Sequence, residues 1–265
     1  MIIMNLGFVL TIVILTVIFL FALLMQQKKI RLLENLHDHS KNKLENLQVN
    51  FGHFVPQEVV EQLTDAEGHY KPIMRNVTVL FADLKGFTQM CDQLNPSEVV
   101  EILNGYFRIM SKAISENHGR VTELTGDGIL ALFGALGNNP WHIQDAVNGA
   151  LAMRSALERY NIELREKSLP ELYFGIGIHQ GEVLAGVMGN FELSKFAVVG
   201  DTINVASRVE ALTRKFNVDL LITDTVRNHL DNRYSLKKMK PVIVKGKTEP
   251  IRTYFVEDII DISSG

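Results

Sequence analysis

The apolar positions fall into three regimes along the chain. From Ile2 to Met25 there is no charged residue, and the polar members are only Asn5, Thr11 and Thr16. A helix of that length rises about 36 Å, enough for a hydrocarbon core of about 30 Å. Lys28, Lys29 and Arg31 follow at once, so the positive-inside rule puts everything downstream in the cytoplasm. A cleaved secretory leader would want a basic start and an A-x-A-like site, and the sequence has neither. Residues 1–25 are therefore expected to be a retained single-pass anchor in the cell (inner or plasma) membrane, embedded through residues 2–25. Too little chain lies on the far side for a sensor domain.

From Ile30 the spacing changes. Ile30, Leu33, His37, Ser40, Leu44, Leu47, Phe51 and Phe54 fall on the a and d positions of a heptad. Polar residues at a and d weaken such a seam and can set its register. Over residues 26–55 the pattern serves a short parallel coiled coil and a solvated helical connector equally well. His37 and His39, on a polar linker, are expected to be surface residues rather than metal ligands.

Past Pro56 strand-like and helix-like runs alternate. Val77–Ala82 is β-branched and apolar, as in a buried strand. Asn95-Pro96-Ser97-Glu98 opens a helix with a cap residue, proline at the first position and an early acid. That helix continues through Val99, Leu103, Tyr106, Met110 and Ile114 to about Gly119. Val121–Leu124 and Ile129–Phe133 read as strands bracketing Thr125-Gly-Asp-Gly128, where Asp-Gly between apolar runs signals a hairpin. A helix is expected from about Trp141 to Lys167, strands near Tyr173–Ile178 and Val183–Val187, and a helix from Asp201 to Lys215. Short strands fill the last fifty residues. This mixture predicts an α+β sandwich rather than a doubly wound parallel sheet, over residues 56–258 with a tail at 259–265.

Composition narrows the function classes. The 27 basic and 30 acidic residues leave a formal charge of −3, so there is no global basic field, and nucleic acid is not an expected partner. A single cysteine, Cys91, excludes an internal disulfide framework and a Cys-rich zinc cluster.

Candidate chemistry collects on a few polar residues. Asp83 ends the first strand, before Leu84-Lys-Gly-Phe-Thr88, and Asp127 sits at the hairpin tip. If the strand lies beside the hairpin, both carboxylates emerge at one edge, where they could bind Mg²⁺ as hard oxygen ligands. Taken alone, an aspartate before a turn is as readily a structural device. The Gly86 turn exposes backbone N–H groups suited to phosphate oxygens. On the helix opening at Asp201, Asn204 and Arg208 are four residues apart and share a face. An amide and a guanidinium so placed suit a sugar and a phosphate that gains charge in a transition state. Lys245, in Val244-Lys-Gly-Lys247, is a further candidate phosphate cation, or else a solvated loop lysine.

Together these motifs resemble one family, the class III nucleotidyl cyclases, which make cyclic AMP or cyclic GMP. The likeness rests on Phe81-Ala-Asp-Leu-Lys-Gly-Phe-Thr88, Thr125-Gly-Asp-Gly128 with Leu130-Ala-Leu-Phe-Gly134, Gly177-Ile-His-Gln-Gly181, Val199-Gly-Asp-Thr-Ile-Asn-Val-Ala-Ser-Arg208 and Val244-Lys-Gly-Lys247. The segment Phe54–Leu63 is similar to the lead-in of many bacterial members, so the likeness runs from about Phe54 to Val256. It implies the ferredoxin-like, palm-type sandwich of that family. It also implies two Mg²⁺ (or Mn²⁺) ions held by Asp83, Asp127 and the Leu84 carbonyl. Phe87 and Thr88 N–H groups, with Lys245, would hold the β- and γ-phosphates. Arg208 would stabilise the α-phosphate and Asn204 orient the ribose. The family shares each site between two subunits, so a homodimer is implied, with ATP or GTP as substrate.

Base choice departs from the family's pattern. The two positions that read the base are Glu123 and Ala197, where adenylyl cyclases carry Lys and Asp or Thr. Guanylyl cyclases carry Glu and usually Cys. A carboxylate at Glu123 can accept from guanine N1–H and N2–H₂, whereas bacterial-looking members mostly use ATP and Ala197 offers guanine nothing. The balance leans to ATP, with GTP the alternative. Glu182 stands where some members have a phosphate-binding Arg, and Lys85 replaces an acid of some relatives and is expected to reach solvent. Two rivals fit less well. The Gly126–Gly128 loop loosely resembles that of diguanylate cyclases, but the acid and phenylalanine that should follow are missing. An inactive nucleotide-binding or dimerisation module would have lost a metal acid or Arg208, and all are present.

Overall fold

The computed structural model describes residues 23, 25–31, 41, 43, 72–135, 139–189 and 194–260. Residues 25–31 are helical. Nearly all of the expected anchor, most of the linker with its heptad seam, His37, His39, the Phe54–Leu63 lead-in and residues 261–265 lie outside the described residues. Among the described residues, no helix is long and apolar enough to cross a membrane.

The centre of the fold is β1 (Ile73–Leu84), whose residues Val77 to Leu80 are fully buried. It is longer than the Val77–Ala82 run that predicts it. Its exposed first residues are held in the ladder by β4 (Phe174–Gly189), from Ile73 opposite Ala185 to Leu84 opposite Phe174. The strands expected at Tyr173–Ile178 and Val183–Val187 are this single strand. His179, Gln180 and Gly181 between them stay paired with Val79, Thr78 and Val77. Their polarity reads as a break, but the ladder is made by backbone groups.

On the other flank of β1 lies the hairpin of β2 (Arg120–Thr125) and β3 (Gly128–Phe133), with Ala82 opposite Ile129. The hairpin is as predicted, but its reason shifts by one residue. Thr125 pairs with Gly128, so the loop is Gly126-Asp127, and Gly126 carries the positive φ of 64°. Glycine at the first loop position is the pattern of a type II′ hairpin.

The sheet order is β2-β3-β1-β4-β6-β8-β7, with β5 (Ser194–Val199) pairing β4 off that path. The remaining strands are β6 (Leu220–Thr223), β7 (Tyr234–Lys238) and β8 (Thr253–Ile259). Only β4 and β6 run parallel among the described pairs, and a parallel pair needs a crossover connection. That crossover is the helix carrying the Asn204/Arg208 pair.

Five helices flank the described sheet: α1 (Phe87–Cys91), α2 (Pro96–Glu116), α3 (His142–Glu166), α4 (Asp201–Phe216) and α5 (Asp224–Arg227). α2 starts where its sequence says it should. The Asn95 N–H donates to the Glu98 carboxylate at 2.9 Å, and Pro96 takes the first turn, where its missing N–H costs nothing. α2 and α3 cover one sheet face, packing Ile102, Tyr106, Met110, Val147 and Met153 on Leu80, Ala82, Ile176 and Ile178. α4 lies on the opposite face. A Cβ on Gly177 of β4 would come within 2.5 Å of the Ala206 carbonyl oxygen of α4, so the glycine sets how closely that helix can approach.

Candidate active site

Pairing of β1 with β3 brings the two aspartates together. Asp83 is the penultimate residue of β1, and its Oδ1 would lie 3.3 Å from a Cβ placed on Gly128, the neighbour of Asp127. The condition set by the sequence is therefore met: both carboxylates emerge at one sheet edge. The Asp127 carboxylate accepts hydrogen bonds from its own N–H and from that of Leu84. Even so, its pKa is raised, first by burial and then by the Asp83 carboxylate. A half-buried carboxylate whose charge is disfavoured by burial and by a neighbouring acid calls for a cation nearby.

In this structure that cation is Arg214, near the end of α4. Its Nη2 donates to Asp83 Oδ2 at 2.5 Å and to the Leu84 carbonyl at 3.3 Å. Its Nη1 lies 3.3 Å from Glu210 Oε1. Glu210 is 5 % exposed, and burial pushes its pKa up to about 7. Neither residue stands out in the sequence. The signal was a Glu–Arg pair at i, i+4 on the buried side of a helix whose other side carried the recognisable motif. Two carboxylates and a carbonyl, of which Asp83 and the Leu84 carbonyl already bond a positive group, form a donor set that suits a hard divalent cation. Among the described residues there is no cluster of three or more Asp, Glu, His or Cys side chains that could hold a metal. Ions bound here would complete their shells from elsewhere, such as phosphate and water.

Next to the acids, Gly86 adopts a left-handed conformation, φ 72°, and caps α1. The N–H groups of Phe87 and Thr88 belong to that helix's first turn, where no intrahelical acceptor exists. Lys85 is part-exposed, with its ammonium turned back onto the protein rather than free in solvent. Its ammonium donates to the Val218 carbonyl at 2.8 Å, and burial lowers its pKa. The long stem lets the side chain turn back onto the loop before β6.

Asn204 and Arg208 lie elsewhere on α4. At about 100° per residue, Glu210 is about 200° round the helix from Arg208. One face of α4 thus leans over Asp83, while Arg208 faces away from it. Asn204 is exposed. Arg208 is half-buried against the turn at Gly246, where a Cβ would lie 3.2 Å from its Nη2. Its Nη1 is buried without a hydrogen-bond partner among the described residues, so this guanidinium has an unmet demand for an acceptor. The two lysines of the Val244–Lys247 turn divide their roles. Lys247 is ion-paired with Asp201 at the start of α4, while Lys245 is exposed beside Arg208's turn. The base-reading pair is less compact. Glu123 is exposed on β2 and Ala197 is half-buried on β5, opposite Gly186, with β3, β1 and β4 between them in the sheet order.

The geometry can be set beside known proteins. The family model for the adenylate and guanylate cyclase catalytic domain matches residues 69–258. The chain belongs to this cyclase family. It is 35% identical to an adenylate cyclase of Anabaena cylindrica over 229 residues, covering 82% of this chain and 45% of that protein. Adenylate cyclase 1 of Rhizobium meliloti (strain 1021) is 28% identical over 222 residues, 83% of this chain and 33% of the relative. The cyclase chain thus spans less than half the length of these relatives. Among solved structures, the guanylyl cyclase Cya2 superposes with a TM-score of 0.68 at 32% identity, over 73% of this chain and 97% of that one. The mixed α+β fold is therefore that of class III cyclases.

One motif residue of this cyclase domain has a structural task. His179, within Gly177–Gly181, places its Nδ1 2.9 Å from the Thr223 hydroxyl. Burial lowers its pKa from 6.5 to about 4. The unfolded chain therefore binds more protons between those values, and stability from the neutral ring is complete above 6.5 and lost as pH falls toward 4. At 1.36 kcal/mol per unit, the loss is up to about 3 kcal/mol. In denaturant melts at pH 7 and pH 4.5, His179→Asn is expected to show a smaller acid loss than the wild type. An equal loss in both would remove His179 from the account.

Proposed function

We propose that the domain converts ATP to 3′,5′-cyclic AMP and pyrophosphate by in-line attack of the ribose 3′-hydroxyl on the α-phosphate. The observation that carries this reading is the meeting of Asp83 and Asp127 at one sheet edge around a positive group. Asp83, Asp127 and the Leu84 carbonyl hold two Mg²⁺ or Mn²⁺ ions. Bound there, such ions lower the pKa of the attacking hydroxyl and neutralise the departing pyrophosphate. First-turn N–H groups of Phe87 and Thr88, with Lys245, hold the β- and γ-phosphates. Arg208 meets the charge that grows on the α-phosphate, and Asn204 orients the ribose.

The catalytic unit is a homodimer with shared sites. The two faces of α4 support this: the face that reaches Asp83 carries Glu210 and Arg214, and Arg208 points the other way. A guanidinium with an unmet acceptor demand, turned from its own acids, suits a site completed by a second copy. Residues 2–25 anchor the chain in the cell membrane with the domain in the cytoplasm, supported by the uncharged apolar run and by Lys28, Lys29 and Arg31 behind it. The product then serves as a second messenger.

ATP is supported by the adenylate cyclases among the relatives. GTP has a specific observation behind it, the Glu123 carboxylate at a base-reading position, together with the likeness to the guanylyl cyclase Cya2. Turnover of the full chain with each nucleotide, in Mg²⁺ and in Mn²⁺, separates the two. Glu123→Lys combined with Ala197→Asp is expected to raise the ATP/GTP ratio of kcat/KM by at least about tenfold, since a mismatched polar pocket can lose up to about 10⁴. An unchanged ratio would mean these positions do not read the base.

A further inference from the structure

Arg214 stands where a metal ion would stand. Its Nη2 bonds Asp83 Oδ2 and the Leu84 carbonyl, two of the three oxygen donors assigned above to cation binding. A divalent ion such as Mg²⁺ requires its oxygens at about 2.0–2.1 Å in near-octahedral array. A guanidinium nitrogen hydrogen-bonded to those same oxygens fills that space, so the two cations exclude each other. Lys85 cannot replace Arg214 as counter-ion without leaving the Val218 carbonyl.

The same side chain has a second acid within reach. Glu210 lies one helical turn back, with Oε1 3.3 Å from Arg214 Nη1. That oxygen is buried and accepts no hydrogen bond among the described residues. It is an acceptor held in reserve on a rigid helix, pointing at a guanidinium whose hydrogen bonds go elsewhere.

We propose that Arg214 is an internal competitor for the metal site: it neutralises Asp83 in the resting chain and passes to Glu210 when a divalent cation takes Asp83. The proposal rests on the assignment of Asp83 as a metal ligand. The handover exchanges a charge-assisted hydrogen bond to β1 for one within α4 and keeps the guanidinium paired in the half-buried site. It spares the resting chain two adjacent, uncompensated carboxylates. It also sets the threshold of metal at which the site forms, independently of nucleotide.

The test is direct binding of Mn²⁺ to the full chain without nucleotide, followed by the electron paramagnetic resonance signal of the free ion. Arg214→Met keeps the aliphatic stem and removes the charge. It is expected to tighten Mn²⁺ binding about tenfold, the scale of one charge-assisted hydrogen bond. Arg214→Gln is the second variant should the first fold poorly, with the same expected direction. Damage to the structure would weaken binding, so tightening separates competition from a packing role. Asp83→Asn, alone and combined with Arg214→Met, is expected to abolish the tight component. Unchanged or weaker binding in both Arg214 variants, with Asp83→Asn still abolishing it, overturns the competitor and leaves the metal site standing. Mn²⁺ binding indifferent to Asp83→Asn overturns the metal assignment and the competitor with it.

Discussion

Asp83→Ala and Asp127→Ala are each expected to lower kcat by at least about 10³-fold, because metal-ion stabilisation of a phosphoryl transition state is worth several kcal/mol at 1.36 kcal/mol per decade. The two acids sit on separate elements, Asp83 on β1 and Asp127 in the β2–β3 turn, and converge through the Ala82–Ile129 register. Neither supports the hydrophobic core. Asp83 is a third exposed at the side chain, and Asp127 occupies a two-residue loop. Loss of turnover should therefore come with a circular dichroism spectrum and a melting temperature close to wild type. For Asp127 the pKa raised by burial and by Asp83 predicts a small gain in metal-free stability once the acid is removed. Near-normal turnover in both variants would remove the two-metal reading.

Arg208→Ala is expected to lower kcat by about 10²–10³-fold while changing KM by less than about threefold, as with other groups that meet charge developing in a transition state. The basis is the buried Nη1 with no acceptor. A guanidinium held half-buried with one nitrogen unmet is costly in the resting state and rewarded only when an anion arrives. Steady-state kinetics on the purified full chain separates the two parameters. A change confined to KM would assign Arg208 to ground-state binding, and no change would leave the orphaned nitrogen unexplained.

Much of this arrangement is legible in the sequence. The β1 strand, the hairpin, both long helices and α4 lie within a few residues of their expected bounds, because each carries a strong period or cap: the Asn95–Glu98 start of α2, the buried run of β1. Asp83, Asp127, Asn204 and Arg208 were marked by residue type and spacing. What escaped has a common cause, that side-chain partners are set by tertiary register. β4 reads as two strands because His179–Gly181 are polar, yet the Thr223 hydroxyl gives the half-buried His179 a partner. Lys85 looked solvated, and only the nearness of the loop before β6 supplies the Val218 carbonyl. Glu210 and Arg214 look like an ordinary helical ion pair. The contact of Arg214 with Asp83 arises because the glycines of β4 let that face of α4 settle beside the end of β1, which no local pattern encodes. Conversely, Asn204 and Arg208 are conspicuous in sequence, yet the single chain leaves Arg208 Nη1 without an acceptor among the described residues.

Mixing two defective variants tests the sharing of each site between subunits most directly. Asp83→Ala and Arg208→Ala chains, each nearly inactive alone, are to be co-expressed in equal amounts and assayed for cyclic nucleotide formation. If acids and arginine come from different subunits, half the dimers are mixed and each carries one intact site, so activity recovers to about a quarter of wild type. If each site is built within a single chain, no combination restores one, and the mixture stays as inactive as its components.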